Sequence, residues 1–228
     1  MDEISRFLQY YIPREQFQVK LDTDVIKITI QGKGKPIQIY PDWWIYRRRA
    51  VENHLIVKTG KSELLHGRET NVKRISTVEA KELFESTHLA GYLKSKVKLG
   101  LFHYSELVMC ATFANPRKWN RNNALFVSAE MVGLCSGYGL SVRGGAEKLL
   151  SHYIEQFSPD EVITFSDNSF SEGDLFRNIG FQKAGERPPM GFVLDEDGKR
   201  KYTIDNPKYF NEGYTKWVLD VKKLNHGN

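Results

Sequence analysis

The chain has 228 residues and a formal net charge of +5, with 40% hydrophobic and 27% charged side chains. That composition excludes wholesale disorder and suits one large domain, or a medium one with an appendage. No apolar run approaches a membrane span, and Met1-Asp2-Glu3-Ile4-Ser5 lacks the basic-then-apolar order of a signal peptide, so a cytoplasmic protein is expected.

Residues 1–75 read as a small α/β appendage. A helix over Glu3–Tyr11 is ended by Pro13, and the strand-like stretches Val25–Ile30 and Pro36–Tyr40 flank Gly32-Lys33-Gly34-Lys35, which predicts a hairpin. Trp43 and Trp44 lead into Arg47-Arg48-Arg49 and a helix through Val57. Tandem tryptophans at a helix start point to packing more than to base stacking. Arg47 and Arg48 suit phosphate oxygens, which guanidinium groups grip bidentately, and equally suit a solvated helix face.

Ser76-Thr77-Val78-Glu79 has the spacing of a capping box and opens a helix through about Thr87, with Val78, Leu83 and Phe84 towards the core and His88 at its end. Val97–Tyr104 and Glu106–Phe113 predict an antiparallel hairpin about Tyr104-Ser105. The segment Asn115–Asn123 reads as a loop between strands in which Arg117, Lys118 and Arg121 flank Trp119. Such a loop can hold phosphate while the indole stacks on a base, or it is a polar surface loop whose Trp covers a strand.

A strand over Ala129–Cys135 is followed by Leu140-Ser141-Val142-Arg143-Gly144-Gly145-Ala146 and a helix whose Ala146, Leu149, Leu150, Tyr153, Ile154 and Phe157 share one face. Two adjacent glycines let backbone approach an anion, and the first turn of the helix offers unpaired N–H groups at the same place, so a pyrophosphate would fit there. Val162–Phe165 reads as a buried strand parallel to the first, since a strand, helix, strand crossover makes its strands parallel. A short helix after Ser171-Glu172-Gly173-Asp174 carries Leu175, Phe176 and Ile179 and ends at Gly180-Phe181. Met190–Leu194 and Lys199–Ile204 flank the turn Asp197-Gly198, with Lys199-Arg200-Lys201 read as a solvated basic turn, and Tyr214–Val221 is the last strand. Cys110 and Cys135 fall in strands as inert free thiols, and neither they nor the six histidines have metal-ligand spacing.

The order strand, glycine turn, helix, strand, short helix, Gly-Phe resembles the core of the GNAT superfamily of N-acetyltransferases. The family loop Gln/Arg-x-x-Gly-x-Gly/Ala stands here as Ser141-Val142-Arg143-Gly144-Gly145-Ala146, with Ser141 at the leading position. The closing Leu-Tyr-x-x-x-Gly-Phe stands as Leu175 to Phe181, with Phe176 where the family often has a general-acid tyrosine. Thr87-His88-Leu89-Ala90-Gly91, together with Ser166-Asp167-Asn168-Ser169 and the residues through Phe176, is similar to GNAT-like proteins of phages and mobile elements. More remotely, the chain is similar to Mom-type proteins that alter the exocyclic amine of adenine in phage DNA. Residues 35–75 weakly resemble the tail of a nuclease-like domain, without its acidic cleavage residues, so no nuclease activity is expected.

The resemblance implies an α/β (α+β) fold with a GNAT-like mixed central sheet flanked by helices over residues 76–228, and an appendage, a nuclease-like remnant, over 1–75. It implies acetyl-CoA or another acyl-CoA as donor, with Ser141, Arg143, Gly144, Gly145 and Ala146 at the diphosphate and Leu134 and Ser136 at the pantetheine arm. His88 and Asp167 are the candidate proton acceptors; Asp167 suits equally an Asx cap on the next turn. DNA is the expected partner, with Arg47, Arg48, Arg117, Lys118, Trp119 and Arg121 as candidate contacts. The alternatives are an acetyl-CoA-dependent transferase for a protein or small amine, and a DNA-binding protein that has lost catalysis.

Overall fold

Helix α1 (Asp2–Tyr11) buries Ile4 and Leu8, one turn apart on a single face, against a small antiparallel sheet. The computed structural model describes residues 2–121 and 123–224. Strand β1 (Phe17–Asp22) pairs β2 (Val25–Ile30) along its whole length, and β2 pairs β3 (Ile37–Ile39) with Ile26 opposite Ile39 and Ile28 opposite Ile37. The β2–β3 hairpin is the expected one; β1 is an additional strand whose Phe17, Val19 and Leu21 alternate with polar residues. Pro41 sits in the first turn of α2 (Pro41–Tyr46), where its missing N–H costs nothing, and Gly60 closes α3 (Arg48–Thr59) at φ +75°.

The chain then runs through β4 (Glu63–His66), β5 (Asn71–Arg74) and α4 (Thr77–Thr87), whose capping box is made by Ser76 and Glu79. Val78 points outward and is exposed, because the face of α4 that meets the sheet is Ala80 and Phe84. Next come β6 (Val97–His103), β7 (Glu106–Phe113), β8 (Arg117–Arg121), β9 (Ala124–Ser136), β10 (Leu140–Arg143), α5 (Gly145–Phe157), β11 (Glu161–Asp167) and α6 (Asp174–Asn178). The remainder is β12 (Gln182–Arg187), β13 (Gly191–Leu194), β14 (Arg200–Tyr202), β15 (Tyr209–Phe210), β16 (Tyr214–Asp220) and α7 (Val221–Leu224).

The central sheet has eight strands in the order β12-β16-β11-β9-β7-β6-β5, with β8 also beside β9. All neighbours are antiparallel except β9 and β11, which α5 joins as a crossover. Leu149, Leu150 and Tyr153 of α5 pack on Leu99, Leu101, Met109 and Phe113 on one face, and Phe84 of α4 packs with Cys110 and Cys135 on the other. This is the mixed central sheet flanked by helices that the sequence implies. Both thiols are free and buried, and burial pushes that of Cys110 up to about 12. Two segments differ from expectation. Arg117–Arg121 is a strand rather than a loop, paired with Ala124–Ser128, and Leu140–Arg143 is a strand paired in parallel with β4. Among the described residues no helix is long and apolar enough to cross a membrane.

The N-terminal sheet shares its core with the excursion between β12 and β16: Phe192 and Tyr209 are buried among Ile28, Tyr40, Trp43 and Leu55. Arg200 closes this joint and is not a solvated turn residue. Its guanidinium lies 4.7 Å from the Tyr40 ring, 4.2 Å from Trp43 and 4.4 Å from Phe192, and donates to both carboxylate oxygens of Asp42 at 2.6 and 3.2 Å. Removing one partner of a buried ion pair strands the other charge, which costs about 3–5 kcal/mol. Arg200→Met is therefore expected to lower the free energy of unfolding in urea by about 3 kcal/mol or more, while the same change at exposed Lys201 stays within about 0.5 kcal/mol of the parent.

Candidate active site

Strands β9 and β11 are neighbours for only part of their length. Glu161, Val162 and Ile163 pair with Ser128, Ala129 and Glu130, and then the strands part. Beyond that point β11 stays with β16 through Asp167, and β9 stays with β7 through Ser136. Thr164 donates its hydroxyl to the Met131 carbonyl at 2.9 Å, at the apex of the opening. Among the described residues, the edge of β9 that carries Val132 to Ser136 has no strand partner on the β11 side, and an extended ligand could pair with the backbone groups there. Leu134 packs against the main core, and the Ser136 hydroxyl donates to Leu140 O at 2.8 Å, shaping the turn that follows.

That turn leads through β10 to the start of α5. Gly144 is the N-cap at φ +73° with open space where a Cβ would stand, and no side chain caps the helix. Gly145 is a packing glycine: a Cβ there would lie 2.6 Å from Met109 Sδ and 2.8 Å from a Val142 methyl. Ala146 is buried, and Arg143 and Gly144 are exposed. A second segment lies directly on this turn. A Cβ on Gly67 would stand 2.9 Å from the carbonyl carbon and oxygen of Gly144 and 3.0 Å from Gly145 N. Ser141 is held by β4, and its hydroxyl is 2.6 Å from that of Ser62. The parted strands thus fit an extended arm, and the glycines fit a diphosphate, but the chain's own backbone lies against them.

His88 is the C-cap of α4, its ring 5.4 Å from that of Phe84. His54, on α3, has its ring 5.7 Å from Phe170, in the turn after β11. His54 Nε2 and His88 Nδ1 are both buried without a hydrogen-bond partner among the described residues. Asn53 fixes the geometry: it donates to Thr87 O at 3.2 Å and accepts from Gly139 N at 2.7 Å, tying α3 to the end of α4 and to the turn before β10. Burial, aided by the Arg47 charge, lowers the His88 pKa to about 4; burial, aided by Lys58 and His88, lowers that of His54 to about 3. Both imidazoles are therefore neutral at pH 7. Sequence reading missed His54, because nothing about a lone histidine on a helix signals that a distant segment will meet it.

Asp167 faces elsewhere. Its Oδ1 accepts from Ser169 N at 2.8 Å in an Asx turn, and burial raises its pKa against the opposing pull of Ser169 and Arg200. No hydrogen bond or ion pair joins it to His88 among the described residues. Phe176 packs 5.7 Å from Phe181 and 6.2 Å from Trp217, a core position.

The basic candidates fall into two groups. Arg47 pairs with Glu85, and Arg48 pairs with Glu3 and Glu52 while lying 4.7 Å over Trp44. Arg117, Lys118, Trp119 and Arg121 are all exposed on β8, with Trp119 5.2 Å from Phe126 and Arg121 5.0 Å over the same ring. This arm stands at the start of β9; ten residues of strand, about 33 Å, separate Phe126 from Ser136 at the other end.

No protein-family model matches the sequence, and no curated protein matches it. Among solved structures, the chain is similar to a GNAT family acetyltransferase from Elizabethkingia anophelis with acetyl-CoA bound, at 14% identity and a TM-score of 0.45 over 67% of this chain and 99% of that one. It is similar to Arabidopsis thaliana NAA60 in complex with acetyl-CoA, at 12% identity and a TM-score of 0.47 over 67% and 99%. The ribosomal-protein-S18-alanine N-acetyltransferase from Escherichia coli aligns at 12% identity and a TM-score of 0.44 over 67% and 94%. All three scores lie below 0.5, so the chemistry at the site is read from this chain's own geometry.

The buried histidines make stability depend on pH. A histidine whose folded pKa is depressed leaves stability intact above the unfolded value near 6.5 and loses it as the pH falls towards the folded value. For His88, at about 4 when folded, the loss is roughly 3 kcal/mol. Urea titrations at pH 7 and pH 4 are expected to show the parent losing that much more stability than His88→Gln.

Proposed function

We propose that the protein is an N-acyltransferase that takes its acyl group from acyl-CoA. The observation that carries this reading is the parting of β9 and β11 after three residue pairs, beside a helix that begins at Gly144-Gly145. Bound acyl-CoA would supply a thioester, an acyl group already activated towards amines. Leu134 and Ser136 would line its arm, and Arg143, Gly144, Gly145 and Ala146 its diphosphate. The chain's own part is to hold the acceptor and take its proton. Neutral His88 has a ring nitrogen without a hydrogen-bond partner among the described residues, and we assign it the acceptor's proton. Burial opposes a charge on either ring, and a charge on His88 opposes one on His54 further. Asp167 holds the turn that carries Phe170 against His54.

The acceptor we propose is an amine on nucleic acid, in the first instance the exocyclic amine of a DNA base. Support comes from the exposed Arg117, Lys118, Trp119 and Arg121, which combine phosphate-binding cations with a stacking ring. Mass spectrometry of nucleosides from cells expressing the protein should reveal a new mass on one base that disappears with His88→Ala. Unchanged nucleosides, with acyl-CoA consumed, would move the acceptor to a protein or small amine.

Each phosphate contact contributes about 0.9 to the slope of log affinity against log salt on duplex DNA. Replacing Arg117, Lys118 and Arg121 together with alanine is therefore expected to flatten that slope by up to about 3, read by fluorescence anisotropy across a salt series. An unchanged slope would remove the arm from the DNA interface.

A further inference from the structure

We infer that β4 and the turn after it form a displaceable cover over the glycine turn, so that a CoA diphosphate is admitted only when β4 leaves β10. This inference rests on the acyl-CoA reading above. Glu63 to His66 pair in parallel with Leu140 to Arg143, and these two strands form a sheet of their own, separate from the central one. An isolated two-stranded ribbon is marginal in water, and parallel pairing is the weaker kind. The cover's anchoring is uneven, since Gly67 in the turn is buried. Leu65 packs against the core, whereas Leu64 is 51% exposed.

What holds the cover down is polar and close to the glycines. The Ser62 and Ser141 hydroxyls share a hydrogen bond of 2.6 Å, and Glu63 N donates to Gly139 O at 2.8 Å. Gly67 lies so near Gly144 and Gly145 that any side chain there would meet their backbone. Lys148, in the first turns of α5, donates its ammonium to the Gly67 carbonyl at 2.9 Å and also to that of Thr70. Two neutral carbonyls are modest partners for a cation; a diphosphate is a stronger one. The cation that clamps the cover is therefore the one that an incoming diphosphate would recruit, together with the helix N–H groups beneath it. Opening exchanges a four-residue ladder and a lysine clamp for charge-assisted contacts with the ligand.

The Ser62–Ser141 contact permits a reversible lock, because hydroxyls this close mark side chains that a disulfide can span. Cys110 and Cys135 are buried and will not compete. In full-length Ser62→Cys/Ser141→Cys, calorimetric titration with acetyl-CoA is expected to give binding in the reduced protein and at least a tenfold loss in the oxidised one. Hydrogen exchange of the parent should show Glu63 to His66 becoming less protected as acetyl-CoA is added. Equal affinity in the oxidised and reduced forms, or β4 amides that become more protected on binding, would overturn the cover and leave the donor assignment standing. Binding seen only in Leu65→Asp, which unseats β4, would support a cover that is shut in the parent. No acetyl-CoA binding in any form, Leu65→Asp included, would overturn both the cover and the acyl-CoA reading.

Discussion

The contact between β9 and β11 is short because of where α5 returns the chain to the sheet. Glu161 arrives opposite Ser128, five residues into a strand of 13, and β11 at once forms a complete antiparallel ladder with β16 on its other side. Strand β9 is likewise held by β7 over its last residues. Each strand is therefore committed to its outer neighbour, and the right-handed twist that accumulates across a sheet separates them where no ladder joins them. The opening is a consequence of topology. It leaves a stretch of β9 with an edge unpaired among the described residues, and Phe84 of α4 packs on Gly133 and Cys135 in that stretch.

The first 75 residues are built into this arrangement. They supply β5, the edge strand of the central sheet, and β4, which lies along β10. They also supply Asn53, whose side chain satisfies a carbonyl at the end of α4 and an amide in the turn before β10 at once. A single amide side chain with both ends engaged fixes three segments relative to one another. His54 is positioned as a result, since it follows Asn53 on the same helix. The Arg200–Asp42 pair performs the equivalent task at the other side of the N-terminal sheet, where the aromatic rings of Tyr40, Trp43 and Phe192 enclose the guanidinium.

Periodic segments were legible in the sequence and interactions between distant segments were not. The apolar face of α5, the capping box of α4 and the hairpin about Tyr104-Ser105 follow from local spacing, and each is where the spacing puts it. Leu140–Arg143 reads locally as the approach to a glycine turn; only β4, 77 positions upstream, turns it into a strand. Arg200 reads as solvated because Lys199 and Lys201 flank it, yet Asp42 and the rings of Tyr40, Trp43 and Phe192 draw it inward while both lysines stay exposed. Arg117–Arg121 is polar except for Trp119 and exposed at every position, and so lacks the alternation of a half-buried strand; pairing with β9, not burial, makes it one. The candidate site was legible to the extent that it lies on α5 and at the end of α4. His54 and the β4 cover were hidden because they depend on tertiary contact.

The length of β9 bears on how the nucleic acid of the proposed function would lie. About 33 Å of strand separates Phe126, beside the arm, from Ser136 at the far end of β9, too far for both ends to touch one nucleotide. It is close to one turn of B-form duplex, about 34–36 Å. A duplex aligned with β9 returns the same groove to the same side after that length, so cations at the arm would fix register while the transfer site meets a base one turn away. Phosphate contacts of this kind position without reading sequence. Arg47 and Arg48 are already paired with Glu85, Glu3 and Glu52, so they are less available to phosphate than the cations of the arm. Cations at one end of β9 suit the proposed acceptor held at a distance from the site that would act on it, while burial keeps the imidazoles of His54 and His88 uncharged at neutral pH.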